Sequence, residues 1–348
     1  MYSKELEALG WDAFFADRFE EYEAQGLVPA RIAVAHHGAY SLLARTGPLG
    51  GLAAGALEER PVVGDWVAAD LVPGERKAVI RAILPRRTAF VRKEAWRRVV
   101  AQVVASNIDV VFLVCGLDGD FNPRRLERYL TAAWESGARP VIVLTKSDLA
   151  GDLAACLDEA EAVGFGVAVY AVSNVTGEGL DALEGELAPG RTVALLGSSG
   201  VGKSTLINRL LGVDRLKIGG LRSDGRGRHT TTHRELVQLP SGAILVDTPG
   251  MRELQLWAEE DSLDEAFADI AELAAACRFS DCSHEKEPGC AIRAALADGT
   301  LPVERYESHR KLQRELRALA IRQDARLRSE QRKRWRQLQR ARRVSESW

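Results

Sequence analysis

Leu195-Leu196-Gly197-Ser198-Ser199-Gly200-Val201-Gly202-Lys203-Ser204-Thr205 is a complete phosphate-binding loop, matching G-x-x-x-x-G-K-[ST] from Gly197 to Ser204. The apolar run Thr192 to Leu196 before it reads as a strand, and Thr205 to Leu211 after it as an amphipathic helix. Gly197, Gly200 and Gly202 let the backbone curl so that its N–H groups point at phosphate oxygens, and the positive end of the helix adds to their pull. Lys203 is placed for the β- and γ-phosphates and Ser204 for the Mg²⁺ ion that bridges them. Ser198, Ser199, Val201 and Thr205 complete the cradle. A glycine-rich turn that fits the pattern by chance would lack the flanking strand and helix. The stretch therefore implies a nucleoside triphosphate site.

A phosphate loop does not choose the base. Val141-Ile142-Val143-Leu144 reads as a buried parallel strand ending in Thr145-Lys146-Ser147-Asp148. This tetrapeptide resembles the Asn-Lys-x-Asp guanine motif with Thr in place of Asn, although alone it reads equally as a turn and helix cap. Asp148 would accept from guanine N1–H and the exocyclic amine, a pattern adenine cannot supply. A second strand, near 167–172, ends in Ser173-Asn174, where a short loop would back the base. A third, Ala243 to Val246, runs into Asp247-Thr248-Pro249-Gly250. There Asp247 is expected to reach Mg²⁺ through water, and the Gly250 N–H to sense the γ-phosphate. Between lies Gly225-Arg226-Gly227-Arg228-His229-Thr230-Thr231-Thr232, suited to a switch whose threonine completes the Mg²⁺ shell. Thr231 is the choice among three, and His229 a candidate helper in hydrolysis. Met251 and Arg252 follow Gly250 where Ras-type enzymes carry a water-orienting Gln, which predicts slow intrinsic hydrolysis.

The order of these elements is the second clue. The base-reading pair at 145–174 precedes the phosphate loop, the reverse of Ras-like chains, so the domain reads as circularly permuted. With this order, the Arg228-to-Thr232 switch, the cysteine cluster below and a β-rich N-terminal segment, nearly the whole chain resembles the ribosome small subunit-dependent GTPase A family. That resemblance implies an N-terminal OB-fold β-barrel, a central α/β P-loop GTPase domain and a C-terminal zinc-binding helical domain. It also implies GTP hydrolysis to GDP and phosphate, late maturation of the 30S subunit, and hydrolysis stimulated by that subunit.

Cys277, Cys282, His284 and Cys290 form C-x4-C-x-H-x5-C, which suits a closed tetrahedral zinc site, one ion per chain. Two disulfides or free core thiols are the alternatives. Five cysteines cannot pair evenly, and a nucleotide enzyme without a secretory leader implies a reducing compartment.

The 348 residues carry 47 Lys and Arg against 49 Asp and Glu, with no long apolar run, so a cytoplasmic, membrane-free monomer is expected. The near balance hides an acidic start over residues 1–25 and an arginine-dominated stretch at 326–343. The latter reads as a polar helix for an anionic partner, 30S rRNA, or alternatively as a solvated face. The expected domains are a helical extension at 1–30, the barrel at 31–95, the GTPase at 96–258 and the zinc domain at 259–348. Within the first, residues 5–25 read as a helix. Arg81, Arg86, Arg87, Arg92 and Lys93 would give the barrel an RNA-binding face. The competing functions are an RNA-binding P-loop ATPase and a scaffold not tied to 30S assembly.

Overall fold

A computed structural model describes residues 3–36, 38–55, 57–93, 101–119, 121–213, 235–247, 263, 264 and 266–323. The switch at 225–232 with His229 and Thr231, Gly250, and the arginine-rich stretch from 326 lie outside the described residues. The chain divides into two compact units, one formed by Met1–Arg92 with Val103–Leu254 and the other by Lys93–Gln102 with Gln255–Trp348.

In the first unit, β1 (Val28–His36), β2 (Ala39–Ala44), β3 (Gly47–Ala53), β4 (Trp66–Leu71) and β5 (Lys77–Ile83) close in the order β1-β2-β3-β5-β4, with β4 returning to β1. Only the β3–β5 pairing is parallel among them. This is the expected OB-like barrel, filled by alternate residues such as Ile32, Leu42, Val67 and Ile80. A separate two-stranded sheet, β6 (Ala89–Lys93) with β7 (Ala101–Ser106), follows.

The expected helix over 5–25 is instead three short ones, α1 (Lys4–Glu7), α2 (Ala13–Asp17) and α3 (Glu20–Glu23). Gly10 breaks the run: it sits at φ +83°, and a Cβ there would lie 2.8 Å from the Gly190 carbonyl oxygen. The breaks let Trp11 and Phe15 turn onto Trp66 of the barrel, with Phe19 packed edge-on against Trp11 in the same cluster.

Strands then alternate with helices: β8 (Val110–Gly116), α4 (Pro123–Glu135), β9 (Arg139–Thr145), α5 (Leu153–Gly164), β10 (Val169–Val172), β11 (Thr192–Leu196), α6 (Lys203–Leu211), β12 (Glu235–Gln238) and β13 (Ile244–Asp247). They lie in the spatial order β10-β9-β8-β11-β13-β12, parallel except for β12. β8, β9 and β11 are buried along almost their whole length, which explains their unbroken apolar sequences. The phosphate-loop strand β11 is central, flanked by the base-reading half of the chain on one side and by β13 on the other. Permutation has thus moved the chain ends and left the sheet intact.

One buried arginine joins the barrel to this sheet. Arg31 donates to the carbonyls of Gly64 (3.3 Å), Leu9 and Asn107 (3.0 Å) and to Oγ1 of Thr192 (2.9 Å), the first residue of β11. Burial pulls its guanidinium down to about 10, so it stays charged at neutral pH.

The proposed RNA face of the barrel is largely occupied internally. Arg86 forks onto the fully buried Asp65 (2.8 and 3.0 Å) and reaches Glu59. Arg87 pairs with Asp12 and lies over the rings of Phe14 and Phe15, and Arg81 pairs with Asp70. The side chains of Arg92 and Lys93 lie outside the described residues.

In the second unit, helices Ala268–Ala275, Ala291–Asp298 and Val303–Gln323 surround the cysteine segment.

Candidate nucleotide site and metal centre

The phosphate loop leaves β11 at Gly197, where a Cβ would come within 2.3 Å of the Val114 carbonyl oxygen, so only glycine fits between the two strands. Gly200 and Gly202 take φ of +88° and +92°, and Gly202 caps α6. Ser199 and Gly200 face solvent, while Ser198, Ser204 and Thr205 are half-buried and Val201 is buried. The ammonium of Lys203 is folded onto the loop, donating to Gly197 O at 2.7 Å and to Ser198 O. The register of β11 with β13, through Ala194 and Val246, brings Asp247 to the same end of the sheet.

Thr145 closes β9 and is completely buried. Its hydroxyl lies within hydrogen-bond distance of the carbonyls of Val201 and Cys115 (3.2 Å to the latter), so β9 is tied to the phosphate loop. That link comes from the hydroxyl of the Thr that stands in place of Asn in the tetrapeptide. Lys146 follows at φ +60°, ψ +39°, a left-handed conformation costing about 1–2 kcal/mol for a residue with a Cβ, and its ammonium pairs with Asp118. Ser147 and Asp148 then turn out of the sheet in a single 3₁₀ turn.

Asp148 is exposed and is aimed by Ser173, whose hydroxyl donates to Oδ1 at 2.5 Å. Ser173 also accepts from the N–H groups of Val175 (3.2 Å) and Thr176 (3.1 Å), which folds the backing loop. Thr145 thus touches the phosphate loop directly, and Lys146, Asp148 and Ser173 follow from it through the turn after β9 and the Ser173–Asp148 bond.

Two contributors escaped the sequence reading. Asp118 holds Lys146, and Tyr129 Oη lies 3.3 Å from Ser198 Oγ. Neither belongs to a motif, and each acts across 28 residues or more. Asn174, read with Ser173 as the backing loop, reaches Gly202 O at 3.4 Å through its amide.

In the second unit, the ligand atoms of Cys277, Cys282, His284 and Cys290 lie within 4.8 Å of one another. Cys277 Sγ is 4.0 Å from Cys290 Sγ and 3.6 Å from His284 Nδ1, and Cys290 Sγ is 3.5 Å from that nitrogen. Bonds of about 2.3 Å from sulfur and 2.0–2.1 Å from nitrogen imply tetrahedral edges of ~3.5–3.8 Å, so the donors are already spaced for one ion. Burial pushes the Cys277 thiol up, but hydrogen bonds from the N–H groups of Ala291 and Ile292 at a helix start, joined by those from Cys290 and Cys282, together lower it below its ordinary range. His284 adopts φ +59° within a loop gathered by Glu287. The Glu287 carboxylate accepts from the Ser283 hydroxyl (2.5 Å) and from the N–H groups of Ser283, Glu285 and Lys286. Those bonds hold its carboxyl down at about 2. Glu287 was not read from the sequence.

Comparison with known proteins agrees with this geometry. The family model described as RsgA GTPase matches residues 83–257. A relative named small ribosomal subunit biogenesis GTPase RsgA, from Opitutus terrae, is 48% identical over 358 residues, covering 98% of each chain. Among solved structures, YjeQ from Thermotoga maritima is similar at a TM-score of 0.64 and 26% identity, covering 83% of this chain and 98% of that one. YloQ, titled a circularly permuted GTPase, shares the fold at a TM-score of 0.63 and 24% identity over 84% of this chain and 96% of that one. With the phosphate loop central in a permuted sheet and a three-cysteine, one-histidine cluster in the second unit, the chain belongs to the RsgA GTPase family.

Proposed function

We propose that this protein hydrolyses GTP to GDP and phosphate on the small, 30S ribosomal subunit and assists that subunit's late maturation, with the subunit accelerating hydrolysis. The observation that supports the reading is the link from Thr145 to Val201 together with that from Ser173 to Asp148, which ties the turn carrying Asp148 to the strand end at the phosphate loop. Asp148 reads guanine through N1–H and the exocyclic amine, and Ser173 fixes the angle at which it does so. Lys203 leaves the carbonyls of Gly197 and Ser198 to meet the β- and γ-phosphates, helped by the loop N–H groups of Ser198 to Thr205. Mg²⁺ held by Ser204, with Thr231 as a further ligand, would neutralise charge on the β- and γ-oxygens. Asp247 stands at the sheet end suited to support it, Gly250 is the γ-phosphate sensor, and His229 assists near the attacking water.

The cluster of Cys277, Cys282, His284 and Cys290 takes zinc, one ion per chain, since three thiolates and an imidazole at tetrahedral spacing form a closed structural set. The rRNA contact is assigned to the arginine-rich segment beyond residue 326 and to exposed Arg310, Lys311, Arg314 and Arg317 on the last described helix. Among the described residues no helix is long and apolar enough to cross a membrane. A cytoplasmic monomer built from segments 1–30, 31–95, 96–258 and 259–348 fits these parts.

The test is GTP turnover measured over a titration of purified 30S subunits. A sharp rise supports the proposal, and other GTPases gain roughly 10³–10⁵ from partner-supplied groups. Turnover that stays flat across the titration contradicts it.

A further inference from the structure

We infer that Arg209 is a positioning residue for base selection, acting from the phosphate-loop helix on the segment that aims Asp148. Arg209 lies on α6, about 10 Å along the helix axis from its start at Gly202. Its side chain leaves the helix and grips the backbone of the backing loop: Nε donates to Asn174 O at 2.9 Å and a terminal nitrogen to Val175 O at 3.2 Å. Two adjacent carbonyls on one planar fork define an orientation, which a single point charge would not.

The same loop is fixed at two other points. The Asn174 amide donates to Gly202 O at 3.4 Å, and the Ser173 hydroxyl donates to Asp148 Oδ1 at 2.5 Å. Asn174 is only 7% exposed, and its Oδ1 has no partner among the described residues, so its amide is held by packing and by this weak contact. Without Arg209, the carbonyls of Asn174 and Val175 would be left to water, and the loop would keep the Ser173 turn and the weak contact to Gly202 at the start of α6 but lose its two-pronged tie to the body of that helix. The physical consequence falls on Asp148, whose direction depends on Ser173. Arg209 itself is exposed, so its removal opens no cavity. The grip therefore links the phosphate half of the site to its base half.

This inference rests on the reading of Asp148 as the guanine acceptor. Hypoxanthine keeps the N1–H of guanine and lacks the exocyclic amine, so the preference for GDP over IDP measures how well Asp148 is aimed at both donors. Kd for GDP and for IDP is to be measured on the full chain for wild type, R209A, R209K and D148N, with melting temperatures alongside. The expected result is that R209A and R209K keep their melting behaviour while GDP binding weakens about tenfold and IDP binding much less, so that the GDP preference falls. R209K separates the fork from the charge, because lysine keeps the charge alone. Equal weakening of both nucleotides, or no change, in R209A while D148N abolishes the preference overturns the inference and spares the reading of Asp148. A preference that survives in D148N overturns that reading and the inference with it.

Discussion

The Ser173 hydroxyl lies 2.5 Å from Asp148 Oδ1, although 25 residues separate the two in the chain. One end of a neighbouring strand thus sets the direction of a carboxylate that the sequence shows only as the last letter of a tetrapeptide.

Replacing Ser173 removes that orientation and strands two N–H groups, those of Val175 and Thr176. Losing a hydrogen bond to a charged group costs about 1.5–3 kcal/mol, so S173A is expected to weaken GDP binding by ten- to a hundredfold. Titration calorimetry against GDP checks it, and wild-type affinity in S173A would show that Asp148 holds its direction unaided.

Thr145 gives a second, separable expectation. T145V conserves shape but removes the hydroxyl that joins β9 to Val201 and Cys115, whereas T145S keeps it. A buried carbonyl left without its donor costs about 1–3 kcal/mol. T145V should therefore lower the melting temperature and weaken GTP binding, with T145S close to wild type in both. Identical melting and binding for T145V would mean that the link between base strand and phosphate loop carries no energy.

The metal centre yields a third. Natively purified protein should contain one equivalent of zinc, and stripping it with a chelator should unfold the helices around Cys277 to Cys290, a loss on the order of 10 kcal/mol of binding and folding free energy. E287A frees the 283–287 loop that presents His284 and should cut zinc affinity about 10–100-fold, as outer-shell partners generally do. Competition with a colorimetric chelator measures it. Unchanged affinity in E287A would reduce Glu287 to a surface residue.

Much of this was legible because it is local. The phosphate loop, the Thr145–Asp148 turn and the cysteine cluster each concentrate their chemistry within about a dozen residues, and apolar runs such as Val110–Gly116 announce buried parallel strands. The permuted arrangement was legible from the order of these motifs, the reverse of that in Ras-like chains. What escaped depends on contacts between distant segments. Nothing local marks Arg31 as buried, and only the fold shows its guanidinium bridging Leu9, Gly64, Asn107 and Thr192. Arg86 and Arg87 read as an RNA face, because charge counting cannot reveal that Asp65 and Asp12 already occupy them. Trp11, Phe15 and Phe19 suit one amphipathic helix, and only packing against Trp66 and Gly190 explains why the segment breaks into three.

The base-reading carboxylate is the central claim, and a base-swap experiment tests it most directly. Asn at position 148 would offer its amide N–H to the O2 of xanthine in place of the carboxylate that accepts from the guanine amine. Binding of GDP and XDP to wild type and D148N is therefore predicted to reverse, with wild type preferring GDP and D148N preferring XDP. D148N that keeps the wild-type preference for GDP would contradict the account.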